Sequence, residues 1–188
     1  MRPEPRWCEA RSTEAGLGVA NNPGAIWSLV SCPGKGLTIA RDWLKNAPQH
    51  VVEVSNSLIE RRNLIENLGF APGAHPNAVQ FCGGSASGSE IAYNTIYNPV
   101  PVNGYPNMDN EDLQVEGQCT GTVLNTTLAN NVVIAAGTQA GTTSSYLIAI
   151  RQDPGPNLVQ GVKVLSNWLY WGGAWGPALP RSRHQQAT

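Results

Sequence analysis

Charge is the first thing this chain is short of: Asp, Glu, Lys and Arg make up 13% of its 188 residues, about half of the roughly 25% usual in soluble domains. The shortage is uneven. No Lys or Arg falls between Ala71 and Ile150, although Glu90, Asp109, Glu111, Asp112 and Glu116 do. Phosphate recognition draws on clustered cations and counterion release, which argues against nucleic-acid or anionic-membrane contact through that span. No run approaches the ~18 apolar residues that a membrane span needs. The arginines near Met1 lead into no apolar h-region, so no classical signal peptide is read, and a virion or cytoplasmic location is expected. Metal-binding spacings are also missing. Cys8, Cys32, Cys82 and Cys119 include no C-x-x-C, allow three pairings and read as buried free thiols. His50, His75 and His184 are too scattered to suggest zinc. Gly34-Lys35-Gly36 lacks both the upstream Gly and the following Ser or Thr of a phosphate loop.

What is present is β-forming sequence punctuated by turns. Between Gln118 and Asn167, four runs rich in Val, Ile, Leu and Thr are separated by breaks that predict a four-stranded antiparallel meander. The break Asp153-Pro154-Gly155-Pro156-Asn157 predicts a hairpin between Tyr146–Gln152 and Leu158–Leu165. Apolar spacing from Thr38 to Asn46 is near helical and stops at Pro48. Leu58 to Leu68 reads as a helix with Ser57 and Glu60 as a capping box and Gly69 just past its end. Ile91, Tyr93, Thr95 and Tyr97 alternate with smaller residues as a strand with one aromatic face. Prolines then predict an irregular loop from Asn98 to Asp112.

These elements predict a mostly β protein, α+β on its N-terminal side: an antiparallel sandwich or jelly-roll-like sheet with one or two covering helices. The chain divides into an extended or disordered arm over 1–24, a small mixed α/β segment over 25–70, an antiparallel β domain over 77–176 and a polar tail over 177–188. No internal repeat is read along it.

The candidate sites follow from the same residues. Trp168, Tyr170, Trp171 and Trp175 form an aromatic patch suited to plugging a sheet end or meeting a partner. Tyr93, Tyr97 and Tyr105 lie beside Asn-rich stretches and suit sugar stacking. Asp109, Glu111 and Asp112 offer oxygens to a calcium ion, although the EF-hand pattern fails: Asp112 stands at its Gly position and Gln118 at its closing Glu. Ser85, Ser87 and Ser89 do not satisfy G-x-S-x-G.

Phe81-Cys82-Gly83-Gly84-Ser85 resembles the segment before the catalytic histidine of chymotrypsin-fold serine proteases. So does Cys119 to Leu124 followed by Val132 to Ala136. Where that family has its general base the chain has Gly137, and Thr138 replaces the paired cysteine, so the resemblance implies no active protease.

The leading functional expectation is a non-enzymatic structural or assembly subunit, such as a virion or appendage component. It would self-associate as a homo-oligomer through uncharged β surface and the Trp-rich end. The alternatives are a carbohydrate-binding β module and a hydrolase with an unrecognised site.

Overall fold

The computed structural model describes residues 9–10, 28–32, 36–47, 49–54, 56–68, 76–81, 86–98, 111–116, 121–135, 146–151, 158–170 and 178–179. After β1 (Glu9–Ala10), the chain winds in coils of three or four strands. The first is β2 (Ser28–Cys32), β3 (Leu37–Ala40) and β4 (Trp43–Ala47); the second is β5 (His50–Val54), β6 (Leu58–Arg61) and β7 (Leu64–Leu68). The third is β8 (Asn77–Phe81), β9 (Glu90–Ala92) and β10 (Thr95–Asn98). The fourth is β11 (Glu111–Glu116), β12 (Val123–Leu124), β13 (Thr127–Ala129) and β14 (Val132–Ala135). The fifth is β15 (Tyr146–Arg151), β16 (Val159–Gln160), β17 (Lys163–Leu165) and β18 (Trp168–Tyr170), and β19 (Ala178–Leu179) follows.

Equivalent strands of successive coils stack. The first sheet runs β1-β2-β5-β8-β11-β15-β19, the second β3-β6-β9-β13-β17 and the third β4-β7-β10-β14-β18, while β12 and β16 pair by themselves. Every pairing is parallel except β1 on β2. Three parallel sheets visited in rotation by one chain make a parallel β-helix, a solenoid in which each coil contacts chiefly its neighbours.

The architecture overturns the expectation of an antiparallel sandwich or jelly roll with covering helices. There is no helix among the described residues, and no two consecutive strands of the expected meander pair: β12 and β13 lie parallel to β16 and β17 of the next coil, and none of them forms an antiparallel pair. The expected hairpin is likewise absent: β15 lies in the first sheet, β16 pairs β12, and β17 lies in the second.

The expected helix at Leu58–Leu68 is two strands, β6 and β7, joined at a corner. Leu58, Glu60, Asn63, Ile65 and Leu68 are buried, a period of two whose phase shifts at the corner and so imitates helical spacing. Arg62 takes the left-handed conformation there, with φ 59°. No cap forms. The Ser57 carbonyl accepts the Leu37 amide at 3.1 Å, and Glu60 points into the core. Thr38–Asn46 is corrected in the same way, falling in β3 and β4 around a corner at Arg41, φ 64°. The single aromatic strand is β9 and β10 around Tyr93, φ 59°.

The corners explain why the chain coils. Between the second and third sheets every coil places one left-handed residue, namely Arg41, Arg62, Tyr93, Asn130 or Ser166. Such backbone is costly for residues with a Cβ and persists only where the surroundings over-determine it. Here a buried ladder does so. The side-chain Oδ1 of Asn63, Asn94, Asn131 and Asn167 accepts the main-chain N–H of Asp42, Asn63, Asn94 and Asn131 at 3.0, 2.9, 3.0 and 3.0 Å. Each Nδ2 turns back to a carbonyl, of Ile39, Glu60, Ile91 and Leu128. An internal repeat therefore exists, contrary to the sequence reading. Its unit is an inward residue, two spacers, Asn or Asp, an outward residue and a second inward residue.

The core is built of stacked columns. Val30, Val52, Val79, Leu113 and Ile148 align in the first sheet; Ile39, Glu60, Ile91 and Leu128 in the second, with Val164 exposed at the end of that column; Leu44, Ile65, Ile96, Val133 and Leu169 in the third. Consecutive residues Val51 and Val52, and Ala78 and Val79, are all buried, so the first sheet is withdrawn from solvent on both faces. The second and third sheets alternate buried and exposed positions, leaving an outward face.

Candidate functional site

Parallel register sorts the outward residues of the third sheet into two columns. Trp43, Leu64, Thr95, Val132 and Trp168 form one, and Glu66, Tyr97, Ile134 and Tyr170 form the other, with Lys45 opposite Glu66 at its head. Strands stack about 4.8 Å apart, so five rungs extend this face by roughly 19 Å along the solenoid.

The face is apolar and wet. Trp43 is 59% exposed, Tyr97 41%, Trp168 62% and Tyr170 47%. Trp168 and Tyr170 meet edge to face, with ring centroids 6.2 Å apart and planes at 61°. At the opposite end Trp43 is held from two sides: its Nε1 donates to Glu66 Oε2 at 2.6 Å, and Lys45 Nζ lies 3.8 Å from its ring centroid. Lys45 and Glu66 are the only charged residues in the two columns, and they carry opposite signs.

Of the aromatic patch expected from sequence, Trp168 and Tyr170 thus lie on this face, whereas Trp171 and Trp175 lie outside the described residues. Of the sugar-stacking set, Tyr97 lies on it, Tyr93 is exposed at a corner with the Arg62 guanidinium 6.0 Å from its ring, and Tyr105 is outside the described residues. The calcium set is not gathered on one described loop. Asp109 is outside the described residues, while Glu111 and Asp112 open β11, where the Asp112 side chain is buried. No group of three or more His, Cys, Asp or Glu able to hold a metal ion occurs among the described residues. Nor is any helix there long and apolar enough to cross a membrane.

Two polar features escaped the sequence reading. In the first sheet, His50 Nδ1 accepts the Asn77 N–H at 3.1 Å, Asn77 Nδ2 donates to Gln114 Oε1 at 2.6 Å, Gln114 Nε2 donates to Glu116 Oε2, and Arg151 Nη1 lies 3.9 Å from that same oxygen. The chain of contacts crosses four coils and holds otherwise buried polar groups in partnership. In the second sheet Arg61 and Glu90 form a two-pronged outward ion pair. Neither was legible, because residues 27 to 37 positions apart become neighbours only through the stacking. Leu64, Val132 and Ile134 are aliphatic residues within strand- or helix-forming runs, and their sequence does not mark them as outward-facing. Only the corner residues that reset the phase show that they face outward.

No protein-family model, no curated protein and no solved structure matches this chain.

Proposed function

We propose that the chain is a non-enzymatic structural or assembly subunit whose outward third-sheet face packs against a second copy of itself. The observation that carries this reading is the pair of columns from Trp43 to Trp168 and from Glu66 to Tyr170. A contiguous exposed apolar face of this kind marks an interaction surface. Its centre, Leu64, Thr95 and Val132, is aliphatic or β-branched, and its aromatic residues supply the anchors that interfaces favour. One cation and one anion leave no net charge, so the face does not repel a copy set against it about a two-fold axis.

The carbohydrate-binding alternative has less behind it. Exposed Trp and Tyr rings suit the apolar side of a sugar, but hydroxyls need polar partners fixed around the rings. Apart from Thr95, the tyrosine hydroxyls and the Trp168 indole N–H, the described residues of this face offer only Lys45 and Glu66, both already engaged with Trp43.

Sedimentation velocity across a hundredfold concentration range tests the proposal. Concentration-dependent association is expected, and it should be weakened in Val132→Lys without loss of the folded state. A sharp monomer throughout would overturn the reading.

A further inference from the structure

In the inward column of the second sheet, three of the four buried positions are aliphatic: Ile39, Ile91 and Leu128. The fourth is Glu60. It stacks between Ile39 and Ile91, its side chain is fully buried, and both carboxyl oxygens lack a hydrogen-bond partner. Asn63 Nδ2 donates to the Ile39 carbonyl at 3.2 Å and offsets only part of the cost of burying Glu60. We propose that Glu60 is a protonation switch within the solenoid: the second coil closes around a neutral carboxyl and loosens when that carboxyl loses its proton.

The surroundings support this. An ion without a partner in an apolar interior is far costlier than a neutral acid. Burial accordingly pushes the Glu60 carboxyl up to about 8, with Asn63 opposing only in part. The strand on one side, β3, brings no titratable side chain (Leu37, Thr38, Ile39, Ala40). On the other side, Glu90 of β9 pairs outward with Arg61 of β6 itself. In the same coil, Glu66 of β7 is bonded to Trp43 on the outer face, and β5 carries His50 and Glu53. No charged group among these stabilises a Glu60 carboxylate, since burial and Asn63 account for its shift.

The sign of the effect follows from proton counting. Between the ordinary carboxyl value of 4.5 and about 8, the native chain keeps a proton that the unfolded chain has released. Rising pH therefore draws molecules out of the native state, by about tenfold in the folding constant per pH unit for one proton. The loss is complete above about 8.

Denaturant midpoints of the full chain from pH 5 to pH 9 test the switch. The wild-type midpoint should fall steadily across the window, whereas Glu60→Gln and Glu60→Leu should both remove that slope. Parallel slopes in all three proteins would overturn the proposal. Should the variants fail to fold, the carboxyl carbon resonance of Glu60 in the wild-type protein decides: titration well above the ordinary glutamate range supports the switch, and titration within that range refutes it.

Discussion

Asn131 sits directly over Asn94 in the solenoid, and its Oδ1 accepts both the Asn94 main-chain N–H at 3.0 Å and the Asn94 Nδ2 at 3.2 Å. One side chain thus seals the corner of the coil next to it while its own Nδ2 donates to the Ile91 carbonyl at 2.9 Å. The Asn63 and Asn94 N–H groups that the ladder serves are buried, and the side-chain oxygen of the next rung is the acceptor they use. The ladder holds the second and third sheets at a fixed angle and presents the outward columns as a rigid surface.

Asn94→Ala should therefore be among the more damaging single changes. It strips the acceptor from the Asn63 N–H and the donor from the Glu60 carbonyl, and leaving such a buried group unsatisfied costs about 1–3 kcal/mol. Asn167→Ala, at a half-buried rung that ends the ladder, should cost less. Urea midpoints of the two variants check the order; equal losses would mean that the ladder does not carry the corner.

Neighbouring residues on β14 should respond in opposite ways to the same change. Val133 is fully buried between Ile96 and Leu169, so Val133→Lys should unfold the chain or destabilise it severely. Val132 faces outward between Thr95 and Trp168, so Val132→Lys should leave the melting transition nearly unchanged and act on association. Circular dichroism melts beside sedimentation separate the two. Unfolding by Val132→Lys would show that the face is core.

Trp168→Ala tests the exposed end of the same face. With the ring 62% exposed, little folding stability should be lost, and the measured effect should be weaker self-association in light scattering. An unchanged association constant would place the contact elsewhere.

Two glycines at the corner that leads into the second sheet also differ in a checkable way. Gly88 (φ 72°) has open space where a Cβ would stand, whereas at Gly161 (φ 69°) a Cβ would meet Asn125 Oδ1 at 2.5 Å and the Asn125 main-chain nitrogen at 3.3 Å. Gly88→Ala should cost only the left-handed penalty of roughly 1 kcal/mol, and Gly161→Ala should cost more. Comparable denaturant midpoints for the two variants would contradict this packing.

Several strands were legible before any fold was known. His50 to Val54 and Asn77 to Phe81 are strands, and each is a short run with three apolar residues of strand-forming or small type. Pairing was not legible, because a run of Val and Ile forms a strand equally well in antiparallel and parallel company. The repeat was hidden by its spacing: successive rungs of the ladder are 21, 31, 37 and 36 residues apart. Self-similarity shows readily only at a fixed period. Its signal was nevertheless printed in Arg62-Asn63, Tyr93-Asn94, Asn130-Asn131 and Ser166-Asn167, each followed two residues later by an aliphatic side chain.

By itself the sequence determined that this chain is rich in strands, poor in charge and endowed with a cluster of aromatics near Trp168, because those properties follow from side-chain chemistry and local backbone preference. Only the tertiary structure decided that the strands run parallel, that Leu58–Leu68 is two strands about a corner, and that Trp43, Tyr97 and Trp168 share one face. The reason is physical. A β-strand obtains its hydrogen bonds from residues far away in sequence, so its partner and orientation are settled by which stacking buries the most side chain and leaves the fewest amides unpaired. Glu60 shows the limit most sharply, since the same carboxylate that reads as a solvent-facing cap on a helix becomes, after a shift of phase at Arg62-Asn63, an unpaired acid in the core.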